Sequence, residues 1–446
     1  MSHLLVPGPA ESRCATVWAA AVDERDDPAA LEVVAASGPR SSLGRWDYWL
    51  EGGKRRVGIR RVRLRGLGPR ARERIELQRA GKTVASAMVG TLPDRLPSLE
   101  ERPFTILLGS CFAQKRDGAG SVGRTYSLLP GDARPDVKIL CGDQVYLDAP
   151  SFWTIFPAVS TGELRRRLLA AYLESWGQEP GFRTLLADGP NAFTSDDHDF
   201  WNNAPNGSIT APSTLIGPLR RAWLEEARRL YRAFQRPRYP RLTIMEMDGL
   251  SICVADVRVH RGEGSETFMY PADLKAVREW ASNLKGPGCL ALGQLLFAPP
   301  ASRIGRHMDL GLPDYRQYPE LVDALARAPF SIVVLTGDVH FGRVAVCELQ
   351  GGREIVEVVA SPMALVAPVP RNDWRPAPAL FPAEAIPGHV QRPIRTEAAY
   401  QFNGNHFATI GFNRAGGRVR LNVQAWPTDN RGRLPAAVRS YVHWIS

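Results

Sequence analysis

The chain has 446 residues, of which 44% are hydrophobic and 23% are charged, and its formal net charge is +10. This length exceeds one ordinary domain, and the composition is that of a globular protein. No apolar run approaches the roughly 20 residues that a membrane span needs, so the sequence excludes a helical membrane protein. The positive charge comes mainly from arginine, which indicates genome composition as readily as an anionic partner.

The N-terminus and the cysteines indicate the cellular compartment of the protein. No basic region followed by an apolar stretch opens the chain, so we expect a cytoplasmic protein. The six cysteines are scattered through strand-like runs. This pattern indicates reduced, mainly structural thiols rather than a disulfide framework.

Residues 1–98 are predicted to form a separate all-β domain. Short alternating or β-branched segments are divided by glycine turns, and six or seven strands over this length are typical of a sandwich of the immunoglobulin or fibronectin type. A proline-containing linker, Leu92–Pro103, leads to a second domain over residues 99–446. The predicted strands are Ala15–Val22, Leu31–Ala35, Trp46–Leu50, Val57–Leu64, Ile75–Leu77 and Thr83–Met88.

Beyond the linker, strands alternate with amphipathic helices, which predicts a layered α/β domain with two sheets between helices. Apolar stripes with helical spacing lie in Leu164–Trp176, Leu219–Phe234, Leu274–Leu284 and Leu321–Ala328. A hairpin is predicted over Leu242–Val259, and the long segment Pro362–Pro393 is predicted to be irregular. Later strands are predicted at Cys289–Leu292, Ile332–Thr336, Val344–Leu349, Ile355–Ala360, Ala408–Phe412 and Val419–Ala425.

Four short polar clusters carry the candidate chemistry: Leu108–Cys111, Gly142–Tyr146, Ser195–Asp199 and Gly337–His340. Three of them follow apolar runs that are predicted to be buried strands, Phe104–Leu108, Val137–Cys141 and Ile332–Thr336. Parallel sheets place ligand sites at the carboxyl ends of their strands. Carboxylates, an imidazole and a thiolate collected there indicate a metal site.

The clusters contain what a two-metal phosphoesterase requires. Such an enzyme needs a carboxylate between two cations roughly 4 Å apart, further donors from several strand ends, and a histidine that protonates the leaving group. Asp143 suits the bridging position, and a phenolate from Tyr146 would favour iron over magnesium. Asp338 and His340, at i and i+2 of an extended strand end, are predicted to point to the same side and to chelate together.

In this order after a β-sandwich, the motifs Gly-Ser-Cys, Gly-Asp-Gln-Val-Tyr, Asp-Asp-His-Asp and Gly-Asp-Val-His resemble those of the PhoD-type alkaline phosphatases. That family belongs to the calcineurin-like metallophosphoesterase superfamily. Asp256–Arg261 is similar to its Asp-x-Arg-x-x-Arg segment. The resemblance implies a four-layer α/β/β/α catalytic domain that binds iron and calcium. It also implies metal ligands at Cys111, Asp143, Tyr146, Asp197, Asp338 and His340, with Asn202 or Asn203 as a further candidate.

The resemblance also implies roles for individual residues. His198 would be the proton donor, next to Asp143 and Asp197 as the catalytic carboxylates. Arg258 and Arg261 would bind the phosphate through bidentate hydrogen bonds, although structural ion pairs are an equal alternative in so arginine-rich a chain. Asp196 is expected to support the ligands. The chain departs from the family at Asp199, where a glutamate is usual.

The function predicted from the sequence is a metal-dependent phosphoesterase that cleaves phosphate esters by in-line attack of a metal-activated hydroxide. Whether it prefers monoesters, or diesters of nucleotides, nucleic acid or phospholipid headgroups, stays open. A different class is a non-catalytic scaffold whose metals only stabilise the fold. We expect a monomer with no obligate nucleic-acid partner and no membrane span.

Overall fold

The computed structural model describes residues 2–148, 160–209, 211–237, 241–302, 310–365, 374–428 and 436–446. The α-helices are α1 (Ser121–Ser127), α2 (Thr161–Gly177), α3 (Phe182–Leu186), α4 (Gly217–Phe234), α5 (Pro271–Ser282) and α6 (Tyr318–Arg327). The first eight strands are β1 (His3–Ala10), β2 (Cys14–Val22), β3 (Leu31–Ala35), β4 (Arg40–Ser42), β5 (Tyr48–Gly52), β6 (Arg55–Arg65), β7 (Arg72–Arg79) and β8 (Lys82–Gly90).

The remaining strands belong to two larger sheets. They are β9 (Phe104–Gly109), β10 (Val137–Cys141), β11 (Asn191–Thr194), β12 (Thr243–Met247), β13 (Leu250–Val254), β14 (Gly288–Gly293), β15 (Ile332–Thr336), β16 (Phe341–Glu348), β17 (Glu354–Val359), β18 (Leu380–Phe381), β19 (Arg392–Asn403), β20 (His406–Ala415), β21 (Arg418–Pro427) and β22 (Arg439–Ile445). None of the helices in the described ranges is long and apolar enough to cross a bilayer.

The N-terminal region forms two four-stranded antiparallel sheets, with the orders β1-β2-β6-β5 and β4-β3-β7-β8. Alternation buries one face of β3 through Leu31, Val33 and Ala35. These side chains share a hydrophobic cluster with Val17 and Leu64 of the other sheet. The all-β prediction for this region is therefore confirmed, whereas the immunoglobulin-like topology and the boundary at residue 98 stay predictions.

The two larger sheets have the orders β11-β10-β9-β20-β21-β22 and β12-β13-β14-β15-β17-β16-β19-β18. β9, β10 and β11 run parallel in the first sheet, and β13, β14, β15 and β17 run parallel in the second. Ile106 and Ile139 of one sheet share a buried cluster with Val333 and Val356 of the other. Apolar side chains of α2 and α4 lie in a second cluster and those of α5 and α6 in a third, so the predicted α/β class is confirmed.

The predicted elements differ from the structure mainly at their ends. The stripe at Leu274–Leu284 begins earlier as α5 and ends at Ser282, where the backbone amide and the side-chain amide of Asn283 both donate to the Glu279 carbonyl oxygen. The predicted hairpin is observed and turns at Asp248-Gly249, but its second strand ends at Val254. The excursion Pro362–Pro393 lies partly outside the described residues, and its described part contains the short strand β18.

Candidate metal centre

The four polar clusters meet at the carboxyl ends of parallel strands from both larger sheets. Cys111 follows β9, Asp143 follows β10, Asp197 follows β11, and Asp338 follows β15 of the other sheet. Two contacts join the sheets directly. The Asp338 amide donates to the Ser110 hydroxyl over 3.2 Å, and the Cys111 thiol lies 3.4 Å from the Asp338 carbonyl oxygen. The predicted placement of the clusters at one edge of the sheets is therefore observed.

Two motif glycines allow the strand ends to come this close. A Cβ atom on Gly142 would lie 2.4 Å from Cβ of Asp196, and the φ angle of Gly142 is +83°. A Cβ atom on Gly337 would lie 2.4 Å from Cβ of Ser110. Because both contacts are far below van der Waals distance, glycine is required sterically at these turns.

The backbone is strained at several site residues. Cys111, Asp143, Asn203, Asp338 and His340 have φ angles of 56°, 57°, 67°, 69° and 58°. Non-glycine residues rarely adopt this left-handed region, and such strain concentrates at functional sites. The prediction that Asp338 and His340 belong to an extended strand end is wrong, because the chain turns at both residues. Their joint chelation of a metal stays a prediction that no longer rests on strand geometry.

The centre of the site is formed by Asp143, Asp197 and His198, whose potential ligand atoms all lie within 4.8 Å of one another. Two further predicted ligands converge on one oxygen of this group. The Cys111 sulfur is 3.5 Å and the Tyr146 hydroxyl 3.4 Å from Oδ2 of Asp143. The structure thus brings these five predicted residues together. Below they are called the acidic cluster.

His340 is connected to the acidic cluster through Ser361. The Ser361 hydroxyl accepts from the His340 amide over 3.2 Å and donates to the Cys111 sulfur over 3.2 Å. Ser361, which precedes Pro362 in a Ser-Pro pair, is not among the residues predicted for the site. The contact shows that this pair lies at the site.

The asparagines that follow the Asp-Asp-His-Asp motif reach the site through their backbone. The Asn203 amide donates to Oδ2 of Asp197 over 2.8 Å. The Asn202 amide donates to Oδ2 of Asp148 over 2.8 Å. Metal ligation by the side-chain oxygen of either asparagine stays a prediction.

Asp148 orients His198 and was not identified from the sequence. Nδ1 of His198 lies 2.8 and 3.0 Å from the two oxygens of Asp148, and the imidazole stacks on the Tyr146 ring at 4.4 Å. Burial alone would lower the pKa of His198, but Asp148 and Asp197 outweigh it and hold that pKa well above the usual value. No motif marks Asp148, which is one more acidic residue in the loop after β10.

Asp199 and Asp196 form hydrogen bonds with the acidic cluster and with the residues that surround it. Oδ2 of Asp199 accepts from the amides of Asp143 and Asp196 over 2.9 and 3.0 Å, and its Oδ1 accepts from Nε2 of Gln235 over 2.9 Å. Burial raises the pKa of Asp199 to about 7. Asp196 accepts from Nε of Arg258 over 2.7 Å, which agrees with the supporting position expected for it.

Arg258 and Arg261, the predicted phosphate ligands, are each only 2% exposed. Arg258 donates to Asp196 and to the Ala204 carbonyl oxygen. Arg261 donates to Gln294 and to the Leu310 carbonyl oxygen. These internal contacts correspond to the structural alternative stated for both residues. Direct contact with a phosphate stays a prediction that none of these contacts supports.

The charges of the acidic cluster fit a bound cation. Burial raises the pKa of Asp143 well above its usual value, and Asp197 adds to this effect while His198 opposes it. Burial, Asp143 and Asp338 likewise raise the pKa of the Cys111 thiol. A cation among these oxygen, nitrogen and sulfur donors would stabilise their ionised forms. The residues present therefore suit a metal ion, and iron and calcium in particular stay predictions.

No protein-family model and no curated protein sequence matches the chain. A solved structure described as PhoD matches with a TM-score of 0.66 and 14% identity, over 98% of this chain and 89% of that one. A second, described as GAP50, the anchor in the inner membrane complex of Plasmodium, has a TM-score of 0.39 and 10% identity, over 77% and 88% of the two chains. The first similarity shows a PhoD-like fold, and the second is too low to support any conclusion.

Proposed function

We propose that this protein is a metal-dependent phosphoesterase of the PhoD type. The observation that carries the proposal is the group of two buried carboxylates, Asp143 and Asp197, and the half-buried His198 at the carboxyl ends of β10 and β11. Cys111 and Tyr146 lie beside the same oxygen of Asp143, as the sequence motifs lead one to expect. The PhoD-like fold supports the same reaction class.

The acidic cluster would bind the metals. Asp143 would be the carboxylate shared by the two metals, and the other residues that would hold them are Cys111, Tyr146, Asp197, Asn202, Asp338 and His340. When bound, an iron and calcium pair would activate water and neutralise the phosphoryl oxygens. The chain's own contribution is to hold these donors in place. The amides of His198 and Asn203 donate to Asp143 and Asp197 over 3.0 and 2.8 Å and so fix the two carboxylates.

His198 would donate a proton to the leaving oxygen of the ester. Its Nδ1 is engaged by Asp148, so Nε2 is the atom left to face the substrate. The stacked Tyr146 ring limits rotation of the imidazole. Arg258 would act by positioning, because it donates to Asp196 and its guanidinium lies 3.9 Å from the Asp197 carboxylate.

The finer architecture is part of the same proposal. The three apolar clusters around the larger sheets support a four-layer α/β/β/α catalytic domain, residues 99–446. The shared core of the two N-terminal sheets supports an immunoglobulin-like sandwich over residues 1–98.

The test combines metal analysis with hydrolysis of p-nitrophenyl phosphate and of bis-p-nitrophenyl phosphate. We expect the wild type to bind metal and to cleave at least one ester. Asp143→Asn should lose bound metal, and its hydrolysis rate should fall by about a hundredfold or more. Asp136→Asn is the matched control, because that carboxylate lies just before β10, at the opposite end of the strand, and pairs with Arg102. Bound metal without hydrolysis of either ester would instead favour the scaffold.

A further inference from the structure

A pocket of about 600 Å³ lies between the N-terminal sheets and the helices beside the acidic cluster. One wall comes from β1, β2 and β6, and the other from β11, α2 and the end of α4. Among the described residues that line it, none is a predicted metal ligand. The pocket is thus a second concave site, distinct from the metal centre.

Aromatic rings form the apolar part of this interdomain pocket. Trp176 lies at the centre of this group of rings, with ring centroids 5.1 Å from Trp18, 5.7 Å from Phe193 and 5.3 Å from Phe234. Aromatic side chains held at several mutual angles can contact both the faces and the edges of a small aromatic ligand.

Two arginines give the pocket a positive charge. Arg236 is 7% exposed, donates only to the carbonyl oxygens of Val254 and Arg241, and has no hydrogen-bond partner at Nη1. Arg61 donates to the Ala233 carbonyl oxygen over 2.8 Å. Within the described ranges neither guanidinium forms an ion pair with a carboxylate. A buried cation that has only neutral partners is costly, so an anion would be attracted there.

Of the carboxylates at the rim, Asp47 attracts the Arg61 guanidinium, but neither Asp47 nor Glu11 forms an ion pair with Arg61 or Arg236 within the described ranges. Glu11 pairs with Arg63 over 2.6 Å, and the Asp47 carboxylate pairs with Arg60. Burial lowers the pKa of Arg61 to about 10, so its guanidinium stays charged at neutral pH.

Other buried polar atoms of the lining residues also lack partners. Nε1 of Trp176 is a donor of this kind, and Oε1 of Gln235 and Oδ1 of Asn191 are acceptors. An acid group together with one N–H or O–H would match these donors and acceptors.

We propose that the interdomain pocket binds a small amphipathic anion, an aromatic body that carries an acid group. The rings of Trp18 and Trp176 would contact the aromatic body, and Arg61 and Arg236 would bind the acid group. The ligand would also lie beside Gln235, whose Nε2 holds Asp199 behind the acidic cluster. Its binding does not depend on the phosphoesterase reaction.

The probe is anilinonaphthalene sulfonate, an aromatic anion whose fluorescence rises in apolar sites. Titrated into the full chain without added metal, it should show one saturable site. We expect Kd to rise about tenfold in Arg61→Gln and in Arg236→Gln, because each loses a charge-assisted hydrogen bond. Arg229→Gln is the matched control, since Arg229 on α4 also donates to a carbonyl oxygen of the N-terminal region, that of Trp49, but does not line the pocket.

Thr16→Trp keeps the test decisive if loss of a buried arginine prevents folding. Thr16 is partly exposed on β2 and lines the pocket, so a larger side chain there should obstruct the pocket and weaken binding. Benzoate should displace the probe, and the neutral benzyl alcohol should not. Equal binding in the wild type and all variants, no saturable binding to the folded chain, or equal displacement by both competitors would overturn the proposal.

Discussion

At the scale of single residues, Asp148 is the partner that gives His198 its orientation. Asp148→Asn should lower kcat for ester hydrolysis by about 10- to 100-fold while KM and metal content stay near wild type. The loss should be larger for an alkyl phosphate than for p-nitrophenyl phosphate, because a poor leaving group depends more on proton donation. Steady-state kinetics with the two esters measure this difference.

Asp132→Asn is the control for that experiment, since this carboxylate is exposed in the loop before β10. An equal loss of rate with both esters would mean that Asp148 supports the fold rather than proton donation by His198.

Asp117 offers a test of pH dependence away from the metal centre. It is 2% exposed, accepts from the Val122 amide over 2.8 Å, and burial raises its pKa from 3.8 to about 6. Between these two values the folded state binds more protons than the unfolded state, so stability falls as pH rises from about 4 to about 6. Asp117→Asn removes this pH-dependent contribution to the free energy of unfolding. The free energy of unfolding of the variant relative to wild type should therefore rise by about 1–3 kcal/mol across that window.

Urea denaturation at several pH values measures the Asp117 effect. Parallel pH dependences of the wild type and Asp117→Asn would contradict it. The exposed Asp132 again provides the control, because its substitution should leave the wild-type curve unchanged.

At the scale of elements, the metal centre depends on how closely the ends of β9, β10 and β15 approach. A Cβ atom on Gly337 would lie 2.4 Å from Cβ of Ser110 and 2.8 Å from the Cys141 carbonyl oxygen. Gly337→Ala should therefore push these strand ends apart, lower the free energy of unfolding by about 1–3 kcal/mol and reduce bound metal. Urea denaturation and metal analysis check both effects.

Gly68→Ala is the matched control for Gly337→Ala, because nothing lies within 4 Å of the added Cβ atom. Its effect should stay within about 0.5 kcal/mol. If Gly337→Ala were equally mild, the strand ends would not be in the close contact that the structure shows.

The elements also show which parts of the fold could be predicted from the sequence. β9, β10 and β15 were predicted because buried parallel strands are continuous apolar runs, and α2 and α4 because their apolar residues follow the helical period. β1 was not predicted, because its residues Pro7, Gly8 and Pro9 resemble a turn. Much of β19 is exposed, so it has no clear apolar face.

The candidate site likewise has residues that could be predicted from the sequence and residues that could not. Its predicted ligands lie in short motifs directly after strands, so their convergence could be predicted. Asp148 and Gln235 reach the cluster only through the folded chain, and no local pattern marks them. The left-handed backbone at Asp338 and His340 could not be predicted either, because Asp and His are enriched at positive φ but adopt it in only a small fraction of cases.

At the scale of the whole molecule, the N-terminal sheets are packed against the rest of the chain. Nε1 of Trp18 and Nη2 of Arg61 both donate to the Ala233 carbonyl oxygen at the end of α4, each over 2.8 Å. Leu4, Val6 and Trp18 share a hydrophobic cluster with residues of α2 and α4. This contact also forms the wall of the interdomain pocket. The N-terminal region therefore contributes to the stability of the helices that support Gln235 and Asp199.

Trp18→Ala tests this contribution, because the indole ring lies 5.1 Å from Trp176 and 5.5 Å from Phe234 and is 3% exposed. Removing it should lower the free energy of unfolding by about 3–5 kcal/mol. Trp49→Ala is the control, since Trp49 is 38% exposed, and should cost no more than about 1 kcal/mol. Urea denaturation followed by far-UV circular dichroism should show one transition for the wild type if both regions unfold together. Two wild-type transitions, with only the first shifted by Trp18→Ala, would mean that the helices are stable without the N-terminal sheets.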